Sequence, residues 1–314
     1  MSKQPYRIIF MGTPEFAVPT LKVLLAHSEK VVCVVTQPDR PKGRGRQLLP
    51  TPVKVEAELA GIPVLQPTKI RTQEFADTLT SYSPDLIVVT AYGRILPGSV
   101  LFLPPLGSIN VHASLLPKFR GAAPIQWALI NGEKETGVTI MRIDEGLDTG
   151  DILLPGAIPI TVDDTAASLA AKLAVLGGEL LIKVLARLRQ GNLPPIKQDD
   201  SLATLAPPLT KEQGRIDWQQ PANLISCLIR GMDPWPGAYS TLGGKRFRFF
   251  MPRVVAGLVG EPGGVIHRVG SDGLLIATGH DYLLAPEIQI EGGKRMPVDV
   301  FRRGHSFALG ETFV

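Results

Sequence analysis

The stretch DLIVVTAY, residues 85–92, is apolar from Leu86 to Tyr92 except for Thr90, which is typical of a buried β-strand. Two earlier runs have the same character, YRIIFM at 6–11 and KVVCVVTQ at 30–37. Strands that are apolar on both faces occur where a sheet is covered on both sides. These runs therefore predict a central sheet with a layer of structure on each face.

Helical stretches alternate with these strands. PEFAVPTLKVLLAH follows the first strand, and further helices are predicted at 53–60 and 73–81. Strands that alternate with helices indicate an α/β fold with a doubly wound, mostly parallel, Rossmann-like sheet. In such folds ligands bind beyond the carboxyl ends of the strands.

The pattern changes near residue 190, at the end of a long helix predicted from residue 165. Residues 191–208 contain four prolines and little periodicity, which is typical of a linker. Beyond them, short β-like pieces are separated by glycine-containing turns, and this favours a small, OB-like β-barrel. We therefore expect a first domain at 1–190, a linker at 191–208 and a C-terminal β-barrel domain at 209–314.

The composition of the 314 residues is that of an ordinary globular protein, with 44% apolar and 20% charged residues. The N-terminus shows no apolar secretory segment, and no apolar run is long enough to span a membrane. Cys33 and Cys227 lack metal-ligand spacing, so we expect buried thiols in a reducing compartment and a cytoplasmic protein. The net charge of +4 permits an anionic partner without requiring one.

Two polar residues lie two apart at the end of a further predicted strand, SINVH. Side chains two apart on a strand share a face, so Asn110 and His112 project together, ahead of a Pro- and Gly-rich turn that carries Lys118 and Arg120. Such a pair fits an active site. It also fits two polar residues at a frayed strand edge, and the spacing alone leaves both interpretations open.

A candidate carboxylate follows in DEGLDTGDIL, where Gly146 and Gly150 bracket a loop between two predicted strands. Glycine lets a backbone come close to its neighbours, so Asp148 is able to approach the end of the strand that carries His112. For the other three carboxylates of this loop we expect a solvated turn. That remains the alternative for Asp148 as well.

An amide, an imidazole and a carboxylate together suit acyl transfer to an amine. The amide stabilises a developing oxyanion, the imidazole moves protons near neutral pH, and the carboxylate orients the imidazole and favours its charged form. No Gly-x-Ser-x-Gly nucleophile motif occurs, which favours direct transfer. The glycine fingerprint of a dinucleotide site is missing after the first strand, which argues against a nicotinamide dehydrogenase.

Several motifs resemble one known family. INVHASLLPKFRGAAPIQWALINGE, TGVTIMRIDEGLDTGDIL, MGTPEFAVPTL and TQPDRPKGRGRQLLPTPVK, with GRIDW and RGMDPWPGAY later, are similar to the methionyl-tRNA formyltransferase family. The Asn-x-His pair, SLLP and the later Asp are shared by the wider group of 10-formyltetrahydrofolate-dependent transferases. The resemblance covers essentially the full chain.

The resemblance implies formyl transfer from 10-formyltetrahydrofolate, a co-substrate, to the α-amine of methionine on initiator tRNA, without a metal. The product is N-formylmethionyl-tRNA, used in translation initiation. We expect a monomer with no membrane association. The implied catalytic residues are Asn110, His112 and Asp148, and the implied folate-contacting residues are Ser114, Leu115, Leu116 and Pro117.

A basic stretch, QPDRPKGRGRQ at 37–47, has one acid, Asp39, against four cations: Arg40, Lys42, Arg44 and Arg46. It is either a solvated loop or an arm that orders on RNA, and the resemblance implies contact with the tRNA acceptor arm. In KRFRFF, Arg246 and Arg248 share one strand face and are candidates for tRNA backbone contacts.

Two competing functions remain at this point. Formyl transfer to a small amine would use the same polar residues but would leave the basic loop and second domain without a role. A non-enzymatic RNA-binding protein would have no need of the Asn-x-His pair and the distant Asp.

Overall fold

The computed structural model describes residues 4–27, 29–42 and 47–314. The first part of the chain alternates strands with helices, as predicted. Its elements are β1 (Arg7–Gly12), α1 (Val18–Ala26), β2 (Lys30–Val35), β3 (Arg40–Lys42), β4 (Gln47–Leu49), α2 (Pro52–Leu59), β5 (Val64–Leu65), α3 (Gln73–Ser81), β6 (Leu86–Thr90), α4 (Gly98–Leu101), β7 (Ser108–His112), β8 (Arg120–Gly121), α5 (Pro124–Ile130), β9 (Glu135–Arg142), β10 (Ile152–Pro159) and α6 (Ala166–Gln190).

Within the described residues the central sheet has seven strands in the order β10-β9-β7-β6-β1-β2-β5. β1 is parallel to β2 and β6, and β6 is parallel to β7, whereas β9 runs antiparallel to β7. This confirms the predicted mostly parallel, Rossmann-like sheet. The carboxyl ends of β1, β2, β6 and β7 consequently lie along one edge.

The sheet is buried on both faces because its strands carry apolar residues at successive positions. Ile9 and Met11 of β1 pack in a cluster that includes Phe75 of α3 and Val100 of α4. The alternate residue of β1, Phe10, is also fully buried. This double burial is the reason that the strands read as continuous apolar runs.

The remaining elements are mostly short antiparallel strands. Over the described residues they form two four-stranded sheets, β12-β13-β18-β19 and β14-β17-β16-β15. The elements are β11 (Leu205–Ala206), α7 (Ala222–Met232), β12 (Tyr239–Leu242), β13 (Lys245–Phe250), β14 (Arg253–Val255), β15 (Ile266–Gly270), β16 (Gly273–Ala277), β17 (Tyr282–Ala285), β18 (Glu287–Ile290), β19 (Met296–Pro297) and α8 (Val298–Phe301).

Helix α7 was not expected from the sequence. It begins after Pro221 without a side-chain capping bond, so the usual signal of a helix start is missing. Its buried residues include Ile225, Ile229 and Met232, at the spacing of one helix face. Packing of this buried face, and not a capping side chain, therefore stabilises the helix.

Contacts within the chain divide it into two compact units. One comprises Met1–Pro124, Thr136–Ile158 and Ala170–Ala206, and the other comprises the rest. Residues 191–206 thus group with the central sheet. The boundaries at 190 and 208 that the sequence suggested stay predictions.

Both cysteines are free and buried, as expected. Burial raises the pKa of the Cys33 thiol to about 12, so this thiol stays protonated near neutral pH. Among the helices of the described chain, none combines the length and the apolar character that crossing a membrane demands.

Candidate active site

The end of β7 places the polar pair at the carboxyl edge of the sheet. Asn110 lies beside Val89 of β6, and His112 lies beside Thr139 of β9. The His112 side chain is 5% exposed, so it is held by protein on nearly all sides. The Asn110 side chain is half-buried.

Asp148 meets both members of the pair. Its Oδ2 atom lies 3.6 Å from His112 Nδ1, and its Oδ1 atom lies 3.5 Å from Asn110 Nδ2. The Gly121 amide also donates a hydrogen bond of 2.9 Å to Oδ2. The structure therefore brings together the three predicted catalytic residues, although Asp148 is 36 and 38 positions from the other two along the chain.

The glycines near Asp148 allow this approach. A Cβ atom added to Gly150 would lie 2.0 Å from the carbonyl oxygen of Arg142, so only glycine fits there. Asp148 itself has a φ of 53°, in the left-handed region that a residue with a side chain adopts only when its surroundings hold it. The turn is thus built to point one carboxylate at the strand end.

The second ring nitrogen of His112 has a fixed partner. Nε2 lies 3.0 Å from the carbonyl oxygen of Phe119. Because a carbonyl only accepts, Nε2 carries a hydrogen in this contact. Nδ1 is then the ring nitrogen that faces the Asp148 carboxylate.

The SLLP turn follows directly after β7. Ser114 and Leu116 are buried, and the Ser114 hydroxyl donates to the Lys118 carbonyl oxygen at 2.6 Å. Leu115 and Pro117 are partly exposed. The surface that this turn offers to a ligand is therefore mainly Leu115, Pro117 and backbone.

Two polar residues outside the predicted set belong to this neighbourhood. Gln198 donates from Nε2 to the carbonyl oxygens of Asp148 and Gly150, at 2.8 and 2.7 Å. The Thr204 hydroxyl accepts from the Phe119 amide at 2.9 Å. Neither residue has a sequence signal, since both lie in the proline-containing stretch that lacks periodicity.

The basic stretch at 37–47 is only partly described. Arg40 is exposed and donates to Gln37 Oε1 at 2.8 Å. Lys42 lies in β3, which pairs with β4, and Arg44 and Arg46 lie outside the described residues. The only acid of the stretch, Asp39, pairs with Lys54 at 2.7 Å.

A cavity of about 440 Å³ lies at the same edge of the sheet. It is formed by residues that follow β1 and β2, and its lining is partly apolar and partly charged. The lining residues include Glu15, Phe16, Gln37, Arg40 and Leu49.

Strand β13 has the two faces that its alternation predicts. Phe247 and Phe249 are buried, whereas Arg246 is exposed and Arg248 half-buried. The Arg246 guanidinium lies 4.3 Å from the centre of the Tyr239 ring on the neighbouring strand. The two arginines are thus presented on the outer face of this sheet.

A metal centre is not part of the described structure. Over residues 4–27, 29–42 and 47–314, no three His, Cys, Asp or Glu side chains are grouped so that they could hold a metal ion.

Comparisons with known proteins match both the N-terminal and the C-terminal part of the chain to formyl transferases. The profile of the formyl transferase family matches residues 6–185, and that of the formyl transferase C-terminal domain matches 208–306. A methionyl-tRNA formyltransferase of Desulfotalea psychrophila is 58% identical over 298 residues, which cover 95% of this chain and 92% of that protein.

Solved structures share the fold at low sequence identity. HypX from Aquifex aeolicus in complex with tetrahydrofolic acid has a TM-score of 0.63 at 19% identity, over 95% of this chain and 47% of that one. An N-formyltransferase from Helicobacter canadensis, in complex with folinic acid and dTDP-3-aminofucose, has a TM-score of 0.66 at 19% identity, over 89% and 98%.

The sheet has α/β architecture with polar residues at its carboxyl edge, and the family profiles and the homologue define the class as a group-transfer enzyme. Within that class the assignment is specific. The chain belongs to the formyl transferase family.

Proposed function

We propose that this protein transfers the formyl group of 10-formyltetrahydrofolate to the α-amine of methionine on initiator tRNA, giving N-formylmethionyl-tRNA for translation initiation. The observation that carries the chemistry is the convergence of Asn110 and His112 on Asp148. The identity of 58% with a methionyl-tRNA formyltransferase, over 95% of this chain, supports the choice of acceptor.

Asn110 is proposed to stabilise the negative charge that develops on the formyl oxygen. Its Nδ2 group has two hydrogens, and the long contact to Asp148 Oδ1 occupies one of them at most. The other is free to donate to the oxygen as the amine attacks. One such donor contributes roughly 3 kcal/mol to an acyl-transfer transition state.

His112 is proposed to move the proton. The bond from the amine to the formyl carbon forms as the bond from that carbon to N10 of the folate breaks, and one proton passes from the amine to N10. Nδ1 is able to carry this proton because Nε2 is held by the Phe119 carbonyl. The Asp148 carboxylate stabilises the ring while it is charged.

The folate is proposed to rest against the SLLP turn. A pterin is flat and partly apolar, and the partly exposed Leu115 and Pro117 suit it as a wall. The formyl donor supplies the one-carbon unit when bound, and the residues of the chain orient it. Carboxamide, imidazole and carboxylate groups suffice for this transfer, so we propose no metal.

The tRNA is proposed to lie along the cationic residues. Arg40 lines the cavity at the edge that carries the site, and Lys42 follows it in β3. The proposed tRNA contacts are Arg40, Lys42, Arg44, Arg46, Arg246 and Arg248. Phosphate contacts need only local positive charge, which these side chains supply.

Further proposals concern the fold of the C-terminal part, the domain limits, the oligomeric state and the location in the cell. We propose that the two antiparallel sheets of the C-terminal part close into an OB-like barrel, with domain limits at 190 and 209. We also propose a monomer in the cytoplasm, since tRNA and folate are both soluble partners.

A formylation assay tests the acceptor. The protein is mixed with 10-formyltetrahydrofolate and charged initiator tRNA, and acid-precipitable formylmethionine is measured. Charged elongator methionyl-tRNA and an amino-sugar nucleotide serve as competing acceptors, with His112→Ala as the inactive control. Formylation of the amino sugar and not of the tRNA would replace the proposal with small-amine transfer, for which the Helicobacter canadensis neighbour is the precedent.

A further inference from the structure

The segment 196–206 contacts three separate parts of the site. Ile196 exchanges backbone hydrogen bonds of 2.8 Å with Ile152 of β10. Gln198 bonds the Asp148 turn, and Thr204 bonds the loop that follows β7. A stretch with linker composition is thus bonded to both sides of the catalytic centre.

The orientation of the Gln198 amide is fixed by Arg120. The guanidinium donates to Gln198 Oε1 from Nε at 3.1 Å and from Nη2 at 2.8 Å. Because arginine only donates, the oxygen of the amide must face it, and the NH₂ group must face the carbonyls of Asp148 and Gly150. Arg120 is 7% exposed and also pairs with Asp200 at 2.7 Å.

Gln198 bonds the backbone of Asp148, which has an unfavourable conformation. Asp148 has a φ of 53°, which costs free energy for a residue with a side chain. Its carbonyl is held by Gln198, and its carboxylate is held by the Gly121 amide. These two hydrogen bonds fix where Oδ2 lies relative to His112 Nδ1.

Thr204 acts on the other side of the imidazole. Its hydroxyl accepts from the Phe119 amide, and its carbonyl accepts from the Arg120 amide at 2.8 Å. The Phe119 carbonyl is the partner of His112 Nε2. A Cβ atom on Gly121 would lie 2.8 Å from the Ala206 carbonyl oxygen, so the loop and the segment pack without a gap.

We propose that the segment 196–206 is a positioning element of the active site, in which Gln198 sets the Asp148 carboxylate and Thr204 sets the Phe119 carbonyl. It holds the partners of both ring nitrogens, with the Phe119 carbonyl oxygen 3.0 Å from Nε2 and the Asp148 carboxylate 3.6 Å from Nδ1. The inference rests on the proposed roles of His112 and Asp148. Gln198 and Thr204 touch no reacting atom and act through these two residues.

The sharpest test is Gln198→Glu in the full chain. The substituted side chain keeps its size and its bond to Arg120, but it sets a carboxylate oxygen against two carbonyls in place of the NH₂ group. We expect kcat to fall roughly tenfold, because small displacements of catalytic groups are costly. KM for tRNA and for 10-formyltetrahydrofolate should stay within about twofold.

The pH dependence of kcat distinguishes a positioning role of Gln198 from a general loss of structural stability. Protonation of the substituted carboxyl restores one donor towards the carbonyls, so the ratio of variant to parent kcat should rise as pH falls. Gln73→Glu makes the same chemical change on α3, where the amide only bonds the exposed Asp77, and its ratio should stay flat. A flat ratio for Gln198→Glu with normal kcat would overturn the proposal.

Thr204 gives a second and independent measurement, which decides the matter if Gln198→Glu does not fold. Thr204→Val keeps the shape and removes the acceptor of the Phe119 amide, and Thr204→Ser keeps the hydroxyl. We expect kcat to fall in the valine variant and to be restored in the serine variant. Equal kcat in both, or a loss confined to KM for tRNA, would contradict a positioning role.

Asp148→Asn distinguishes failure of this inference from failure of the site itself. If that variant is impaired while Gln198→Glu and Thr204→Val are normal, the segment is not a positioning element. If Asp148→Asn retains normal kcat and pH dependence, the assignment of the catalytic residues fails instead.

Discussion

The Phe119 carbonyl oxygen lies 3.0 Å from His112 Nε2, and this contact places a ring hydrogen on Nε2. The other ring nitrogen, Nδ1, faces the Asp148 carboxylate at 3.6 Å. That distance is longer than a direct hydrogen bond. The pair is therefore arranged to interact most strongly when the ring becomes charged, as the proposed proton transfer requires.

Replacement of Asp148 by Asn keeps the shape of the side chain and removes its charge. We expect kcat to fall by about two orders of magnitude, because the charged imidazole loses its neutralising neighbour. Steady-state kinetics of the variant and the parent protein measures this loss. Glu145→Gln, an exposed change in the same loop, is the matched control and should leave kcat unchanged.

Truncation of the Asn110 or His112 side chain should lower kcat. His112→Ala and Asn110→Ala are each expected to lower kcat by roughly 100-fold with little change in tRNA binding, since both groups act on the transition state. Steady-state kinetics and a filter-binding assay measure the two quantities. Asn131→Ala removes the same type of side chain at the exposed end of α5. Normal turnover in either site variant would remove that residue from the mechanism.

Loss of a cation from the basic stretch should weaken the binding and use of tRNA and should leave the kinetics with 10-formyltetrahydrofolate unchanged. Arg44→Ala is the sharpest version, because glycines on both sides let that side chain approach the RNA closely. A lost phosphate contact should reduce the slope of log K against log salt by about 0.7 by analogy with single strands.

If Arg44 stacks on a base instead, kcat/KM for tRNA should fall with little change in slope. Lys30→Ala removes the same charge at the opposite edge of the sheet, at the start of β2, and should change neither value. A defect of Arg44→Ala confined to 10-formyltetrahydrofolate would argue against an RNA arm.

The Asp39–Lys54 pair should make stability depend on pH at the base of the basic stretch. Hydrogen bonds from Lys54 and Gln66 hold the pKa of the Asp39 carboxyl below its ordinary value of 3.8. A carboxyl whose folded pKa is lowered contributes stability above its unfolded pKa and loses it as pH falls through the folded one. The contribution should therefore be complete near neutral pH, begin to fall as pH approaches the ordinary value of 3.8, and be lost only below that value, at the lowered pKa of the folded state.

Urea unfolding of the parent and of Asp39→Asn, measured from pH 3 to pH 7, checks this expectation. The difference in unfolding free energy should be largest at the neutral end and should narrow towards pH 3. Asp77→Asn on α3 is a comparison at an exposed carboxylate. A difference that is constant over the whole range would show that the charge of Asp39 has no role.

Local patterns in the sequence predicted much of the fold and of the candidate site. The helix expected at 73–81 has those bounds in the structure, and the alternation in KRFRFF correctly separates buried phenylalanines from outward arginines. The two-residue spacing of Asn110 and His112 correctly placed them on one side of β7. Such predictions succeed because strand and helix periods follow from covalent geometry, which neighbouring residues already share.

Contacts between distant residues could not be predicted in this way. Gln198 lies 50 positions from Asp148, and Thr204 lies 85 positions from Phe119. A glutamine that bonds backbone carbonyls has the same sequence context as one that bonds water, so composition indicated only a linker. Helix α7 was missed because its start lacks a capping side chain.

The sequence by itself determined which segments form buried apolar strands, that Asn110 and His112 lie on one strand face, and which family motifs the chain carries. Tertiary structure alone decided that the 196–206 segment lies against the site, that Phe119 holds one nitrogen of His112, and that Asp148 faces the other. The physical reason is that periodicity is a property of consecutive residues. Hydrogen bonds to backbone carbonyls depend only on which distant segments the fold brings together.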